Sequence, residues 1–473
     1  MLLTYIIFAI TIIFCLVFLL VSFKVKESAS SSFAMYAIGG GSLPFFLILF
    51  SDIATIMGAG NFIGHATEGF KEGISHIAFV FGEQGSKIVF ALLFAGLAGR
   101  FSYITISEMM YDLLHRDKIA RAISGVLTCI ILVAWLGGQA MGLGYIFQQF
   151  TNMSPVPVII FFNVVFIVYT YLGGILSVVW TDLIQGIMIV IFGAIFYYFA
   201  FSPIEWSLPV LSEKLSATAG PEFMSFSHVS VIDLAEKFLI GLFGVLSAQI
   251  YWQRCFAAKD GATAQRAMLV SGILVVVMVS LTTLVGMTIR TLHPGVDPTL
   301  AMPWYIMNYM PLLVTAMVFA LVLAAAMSSA DSLLNSTAVI IVNDLIYPFR
   351  PALTDQQLII IAKRVTLLVG VLGCAIALYS ESIISVFSNA YAVVGGAVVP
   401  TLIVGLLWKK TRQPFTQGSV NSCLTPWGAR VALVSGAAAS AWFNIFWGIG
   451  ISATLAIIIS LLTRPAEHKT GAV

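Results

Sequence analysis

The sequence predicts an all-α polytopic membrane protein, a single domain (1–473) of about thirteen transmembrane helices. Three observations carry that prediction. Of 473 residues, 60% are hydrophobic and only 9% charged, and the mean hydropathy is +1.01; a soluble surface needs far more charge. Apolar stretches of roughly 20 residues, enough to cross a ~30 Å hydrocarbon core, recur from end to end. The connections between them are short and leave no room for a catalytic or DNA-binding domain.

The expected spans are about 2–23, 44–70, 75–99, 119–149, 155–172, 175–201, 232–252, 267–290, 309–343, 358–379, 382–408, 427–444 and 446–463. The first is not a signal peptide, because Lys24 and Lys26 follow its apolar run and no small-residue cleavage site comes next. It reads as a true span with its N-terminus outside and the C-terminus cytoplasmic. Of the 23 Lys and Arg, only Lys71, Lys214 and Arg290 then fall outside, and Lys87 and Lys237 lie within spans. The others, from Lys24 through Arg121 and Arg254 to Lys469, fall inside, as the positive-inside rule asks. The long outer loop 202–231 is acidic instead, with Glu205, Glu213 and Glu222.

The net charge of +2 is thus an inner-loop effect and does not point to nucleic acid. Cys15, Cys129, Cys255, Cys374 and Cys423 are scattered, with no paired or metal-ligand spacing, and read as small apolar fillers. There is no Gly-rich phosphate loop, His cluster or nucleophile elbow.

Four spans are too polar for lipid alone. In "AAAMSSADSLLNS" (324–336), Ser328, Asp331, Ser332, Asn335 and Ser336 share one helical stripe, with Ser329 at its edge. Serines and alanines let membrane helices approach closely, but close packing does not need the carboxylate of Asp331. The second span clusters Gly58, Gly60 and Gly64 near its midpoint, which predicts either a packing notch or an unwound stretch lining a cavity. A similar weak spot, "GLFGVLSAQ" (241–249), comes five spans later. Interruptions at corresponding places in two five-helix halves are what an inverted repeat predicts. Asp182 and Gln185 open the sixth span with no Lys or Arg within four residues of the acid, so it is either solvated or paired with an ion. Glu83 and Lys87 stand i,i+4 in the third span, a spacing that lets them neutralise each other; the alternative is that Glu83 hydrogen-bonds a polar substrate.

"YTYLGGILSVVWTDLIQG" (169–186) and "AAAMSSADSLLNSTAVIIVNDLIY" (324–347) resemble the two signature regions of the sodium:solute symporter family, and "QIYWQRCFAAKD" (249–260) is similar to its Gln-Arg segment. That family includes the sodium-coupled sugar, proline, pantothenate and sialic acid carriers. The resemblance implies a five-plus-five inverted repeat of the LeuT type in spans 2–11. The repeats would be 44–201 and 232–408, with an extra N-terminal span (2–23) and two C-terminal spans (427–463).

It also implies a first sodium site made of the carbonyls of Ala54, Met57 and Ala325 and the hydroxyls of Ser328 and Ser329. Neutral oxygens suit a hard monovalent cation that must leave again. In relatives with a second sodium, Asp182 and Ser332 match its ligands. Asp331 replaces a serine of those relatives, and either strengthens a second cation site or carries a proton. Substrate candidates are Asn61, Glu83, Tyr251 and Trp252. Asn61 takes the place of a sugar-contacting glutamine in the sugar carriers, and "TIMGAG" lacks an Asp of the proline carriers.

The expected function is sodium-coupled symport of a small polar organic solute into the cell by alternating access, with no enzymatic reaction. A proton-coupled carrier resting on Asp331 and Asp182 is the alternative, and a transporter-like sensor the remoter one. Na⁺ is the expected coupling ion, without an organic cofactor. The expected partners are the solute and the lipid bilayer, with no nucleic acid and a functional monomer. The expected location is the plasma membrane, as in a bacterial inner membrane.

Overall fold

A 28-residue helix, α1 (Leu2–Ala29), opens the chain, and the computed structural model describes residues 2–227, 229–380, 382–413, 415–419 and 421–464. Lys469, one of the charges expected inside, lies outside the described residues. The short α2 (Phe33–Ile38) begins where the Ser32 hydroxyl accepts the Met35 N–H. The expected second span splits into α3 (Phe45–Ile56) and α4 (His65–Glu72), joined by a π-turn over Gly60–Gly64. The third is likewise divided, into α5 (Ile77–Glu83), α6 (Ser86–Phe90) and α7 (Gly96–Ala98).

α8 (Ile106–Leu113) leads to α9 (Lys118–Thr151), capped by the Asp117 carboxylate on the Ala120 N–H. α10 (Pro155–Ala200) then runs through two expected spans. Gly174 marks the junction between them, at φ 53° and ψ −160°, a conformation that needs glycine. A Cβ there would lie 2.7 Å from the Tyr36 ring.

The segment expected as an acidic loop contains α11 (Leu208–Thr218). The seventh span breaks into α12 (Val231–Ser247) and α13 (Gln249–Ala257) where Ala248 turns extended, φ −80° and ψ 119°. The remaining helices are α14 (Gly261–Leu292), α15 (Ala301–Tyr309), α16 (Leu312–Ile340), α17 (Asp355–Tyr379), α18 (Ile383–Leu407), α19 (Pro426–Trp442) and α20 (Ile445–Thr463).

Nine helical segments among the described residues are long and apolar enough to cross a membrane, against about thirteen expected. The difference has two sources. Spans 155–172 and 175–201 merge into one apolar segment, Pro155–Ile204, and α3, α12 and α19 are 12, 17 and 17 residues long, short for an unbroken crossing. Two isolated bridges are the only β-pairing among the described residues.

α16 is the axis of the molecule. Its most apolar window is 83% buried, and α3, α9, α10, α13 and α17 pack around it. A helix buried on every side can carry a polar stripe only if that stripe finds partners on its neighbours.

Candidate ion and solute sites

The α3 helix stops at Ile56 because Met57 leaves the helical region (φ −74°, ψ 36°). No backbone N–H returns to the carbonyls of Ala54 or Met57. The Ser329 hydroxyl reaches across from α16 and donates to the Thr55 carbonyl (2.5 Å) and to its own helix at Ala325 (2.9 Å). On the other side of the break, the Ala59 N–H donates to Gln139 Oε1 of α9 at 2.8 Å.

Gly58 fits between these two groups. A Cβ on it would lie 2.3 Å from Ser329 Oγ and 2.4 Å from Gln139 Oε1. The glycine therefore answers a close approach, and the break is an unwound stretch tied at both ends, with free neutral oxygens. Ser329 meets the Ala325 carbonyl and that of Thr55, and Ala54 and Met57 flank Thr55 along the same stretch of α3 and its break. Ser328 does not join them: its hydroxyl turns to Asp182 Oδ1 at 2.5 Å.

Asp182 is fully buried and also accepts from Ser51 at 2.6 Å. Its missing cation is supplied by the chain. Arg254 Nη2 lies 3.6 Å from Asp182 Oδ2, donates to Ser332 Oγ (2.9 Å) and the Ser51 carbonyl (3.2 Å), and bonds Thr55 Oγ1. Thr55 and Ser332 share a further bond of 2.8 Å. Asp182 and Ser332 are thus joined through the Arg254 guanidinium, which places a full positive charge where the second cation was expected.

Arg254, counted among the inner loop charges, is buried, because α13 continues to Ala257 and turns it inward. Arg121 is likewise paired, 2.9 Å from Asp344. Asp331 is 2% exposed, and its Oδ1 has no hydrogen-bond partner.

The expected Glu83–Lys87 pair is absent. Gln84 and Gly85 between α5 and α6 keep helical dihedrals, so the spacing is not what separates the two; partners on other helices hold Lys87. Lys87 Nζ instead pairs with Asp52 Oδ2 of α3 at 2.5 Å and donates to Ser271 of α14 at 2.9 Å. Both Glu83 carboxylate oxygens lack a hydrogen-bond partner, as do the hydroxyls of Tyr251 and Tyr391, Trp135 Nε1 and both amide atoms of Gln84. The nearest basic group to Glu83 is His65 Nε2, 3.2 Å from its Oε2.

The other two substrate candidates are committed elsewhere. Asn61 Nδ2 donates to the Ile56 carbonyl and its Oδ1 meets His65. Trp252 Nε1 donates to the Leu246 carbonyl at 2.9 Å, closing the α12–α13 break, with its ring 5.0 Å from that of Phe90.

Residues 36–424 match the family model for the sodium:solute symporter family. The chain belongs to that family. The sodium/sialic acid symporter of Aliivibrio fischeri is 23% identical over 456 residues, covering 91% of this chain and 87% of that one. The sodium/glucose cotransporter of Vibrio parahaemolyticus is 25% identical over 434 residues, covering 82% and 77%. Among solved structures, a substrate-bound, outward-open Na⁺-coupled sialic acid symporter has a TM-score of 0.80 at 18% identity, over 97% of this chain and 98% of that one. A nucleobase-cation-symport-1 family transporter in a closed conformation has a TM-score of 0.61 at 15% identity, over 90% and 93%. The likenesses to solved structures show a shared fold.

Membership makes this an integral membrane transporter and supports a non-enzymatic reading with Na⁺ as the coupling ion. Within the family, the α3 break and Ser329 fit a sodium: their donors are neutral oxygens. Gln139, Arg254, Asp52 and the histidines 65 and 76 complete the polar core, and no sequence pattern had singled them out. Only the Gln-Arg segment 249–260 offered a signal for Arg254.

Proposed function

We propose that this chain carries a small polar organic solute into the cell together with Na⁺, by alternating access of a five-plus-five helical core. The observation that carries the reading is Ser329, whose hydroxyl joins the Thr55 and Ala325 carbonyls beside the open α3 break. A sodium would be held there by the Ala54, Met57 and Ala325 carbonyls and Ser329, with Ser328 joining when it releases Asp182. One charge moving inward through 100 mV contributes about 2.3 kcal/mol to the cycle. The breaks in α3 and at Ala248 support the inverted repeat, since they fall at matching places five spans apart. The N-terminus is outside, the membrane is a plasma membrane, and the unit is a monomer.

The solute would meet Glu83 and Tyr251, with Tyr391, Trp135 and Gln84 adding unpartnered polar atoms; Asn61 and Trp252 shape the wall. Arg254 serves as the internal cation of Asp182, which favours one sodium per cycle. Asp331 has no such cation, and an unpaired buried carboxylate tends to hold a proton; this favours proton transfer at Asp331 as the second reading.

The test is uptake of a panel of labelled sugars, amino acids, amines and carboxylates into proteoliposomes, with Na⁺ or K⁺ outside at fixed pH. Uptake of one solute class with Na⁺ and none with K⁺ is expected. Equal uptake in both, driven instead by an imposed pH gradient, would replace sodium with the proton.

A further inference from the structure

Histidines 65 and 76, eleven residues apart, form one hydrogen-bonded chain that the ion and solute sites leave unused. His76 Nε2 lies 2.9 Å from His65 Nδ1, and His65 Nε2 lies 2.9 Å from Asn61 Oδ1 and 3.2 Å from Glu83 Oε2. The rings are buried. At the far end, His76 lines a cavity of about 190 Å³ together with Glu68, Glu72, Lys237 and Ser385.

The network fixes the tautomers. Asn61 spends its N–H on the Ile56 carbonyl, so its Oδ1 faces His65 and can only accept. His65 Nε2 therefore carries a proton. Its Nδ1 is then a lone pair, so His76 Nε2 carries the proton of the bond between the rings. His76 Nδ1 is left as a lone pair at the cavity end, 3.9 Å from Glu72 Oε2. Every bond in the chain points the same way, from the cavity toward Glu83.

The geometry points to a proton path: His76 and His65 pass a proton from this cavity to Glu83. Hydronium in the cavity gives a proton to His76 Nδ1 and is left as water. The Nε2 proton of His76 moves to His65 Nδ1, and the Nε2 proton of His65 moves from Asn61 to Glu83 Oε2. One O–H bond breaks in hydronium and two N–H bonds break at the Nε2 atoms, while two N–H bonds form at the Nδ1 atoms and one O–H bond forms on Glu83. Each ring stays neutral and changes tautomer, and Glu83 loses its charge. Imidazole is suited to this because its two nitrogens exchange donor and acceptor roles.

The charged and titratable neighbours suit the direction. Glu72 of α4 and Lys237 of α12, 2.5 Å apart, stand at the cavity end with Glu68 and Lys71. Tyr251 of α13, Tyr391 of α18 and Lys87 of α6 are the titratable neighbours of Glu83, and no Lys or Arg forms an ion pair with it. Lys87 of α6 is held by Asp52 of α3. The proton path requires no particular coupling ion and stands apart from the sodium reading.

The experiment uses the full chain in lipid nanodiscs, stepped rapidly from alkaline to mildly acidic buffer while infrared difference spectra record carboxylic-acid C=O absorption. A band lost in Glu83→Gln reports Glu83. In His76→Gln the side-chain amide keeps a hydrogen bond to His65 Nδ1 but cannot shuttle, and the band should rise at least about tenfold more slowly, about 1.4 kcal/mol in barrier. In His76→Ala, imidazole added to the buffer should restore the rate. Three results overturn the path: no Glu83 band in wild type, an unchanged rate in His76→Gln, or a slowed His76→Ala that imidazole does not rescue.

Discussion

Gly58→Ala tests the ion site at its tightest point. The added methyl would lie 2.3 Å from Ser329 Oγ and 2.4 Å from Gln139 Oε1, and neither atom is a free end. Ser329 is tied to the Thr55 and Ala325 carbonyls, and Gln139 holds the Ala59 N–H. Relief therefore costs one or two buried hydrogen bonds, about 1 kcal/mol each net and up to about 3 kcal/mol if a buried group is left unpaired. Because the donors displaced are those proposed to hold Na⁺, the loss should fall on the bound state. At about 1.4 kcal/mol per decade, Na⁺ affinity should drop roughly 5- to 100-fold. The assay needs no solute: ligand binding raises apparent stability by mass action, so the Na⁺ dependence of Tm, with K⁺ as control, reads the affinity. Gly295→Ala is the matched control, since its Cβ would meet nothing within 4 Å, and it should leave the curve unchanged. A folded Gly58→Ala protein with the wild-type Na⁺ curve would refute the site.

Two further predictions concern the buried charges. Lys87→Met should leave Asp52 unpaired and destabilise the protein by about 3–5 kcal/mol, and adding Asp52→Asn should recover most of the Tm; recovery by Glu83→Gln instead would restore the pairing the sequence suggested. Arg254→Met should likewise expose Asp182, and with the guanidinium gone a Na⁺-dependent rise in Tm beyond the wild-type response is expected, absent from Arg254→Met/Asp182→Asn. An Arg254→Met protein whose stability ignores Na⁺ as the double variant does would remove Arg254 from the cation's place.

What the sequence disclosed was local. A glycine cluster in an apolar run weakens a helix wherever it sits, and the break came at Met57–Ala59 as that predicts. The serine stripe of α16 follows from helical periodicity alone and stands on the axis of the molecule. Asp331 could be singled out because a carboxylate is conspicuous in such a segment, though not what faces it. The errors came where a local rule met a tertiary partner or a broken helix. The i,i+4 spacing pairs Glu83 with Lys87, but Asp52 of α3 and Ser271 of α14 lie across the packed interior and take the lysine, which no local spacing shows. Arg254 was assigned to a loop because span seven was ended at 252, whereas the break at Ala248 starts a new helix running to Ala257. Gln139 sits in a glycine-rich apolar stretch with no polar neighbour at helical spacing, so only the fold brings it to Ala59.

Thr55 explains why these separate features form one device. Its carbonyl accepts from Ser329, and its hydroxyl meets both Arg254 and Ser332. A single residue at the end of α3 thus touches the proposed sodium donors on one side and the Asp182–Arg254 network on the other. That network ties α3, α10, α13 and α16 together through buried bonds to a charged group, which are individually stronger than neutral ones. An ion at Ser329 would act on a hydroxyl bonded to the Thr55 carbonyl, while the hydroxyl of the same residue supports Arg254. Serine 328 makes the same link from α16, since it is bonded to Asp182 now and is a candidate sodium ligand when released. Two residues with divided allegiance would let ion occupancy at the proposed site bear on the contacts between helices, which is what coupling an ion to a conformational cycle requires.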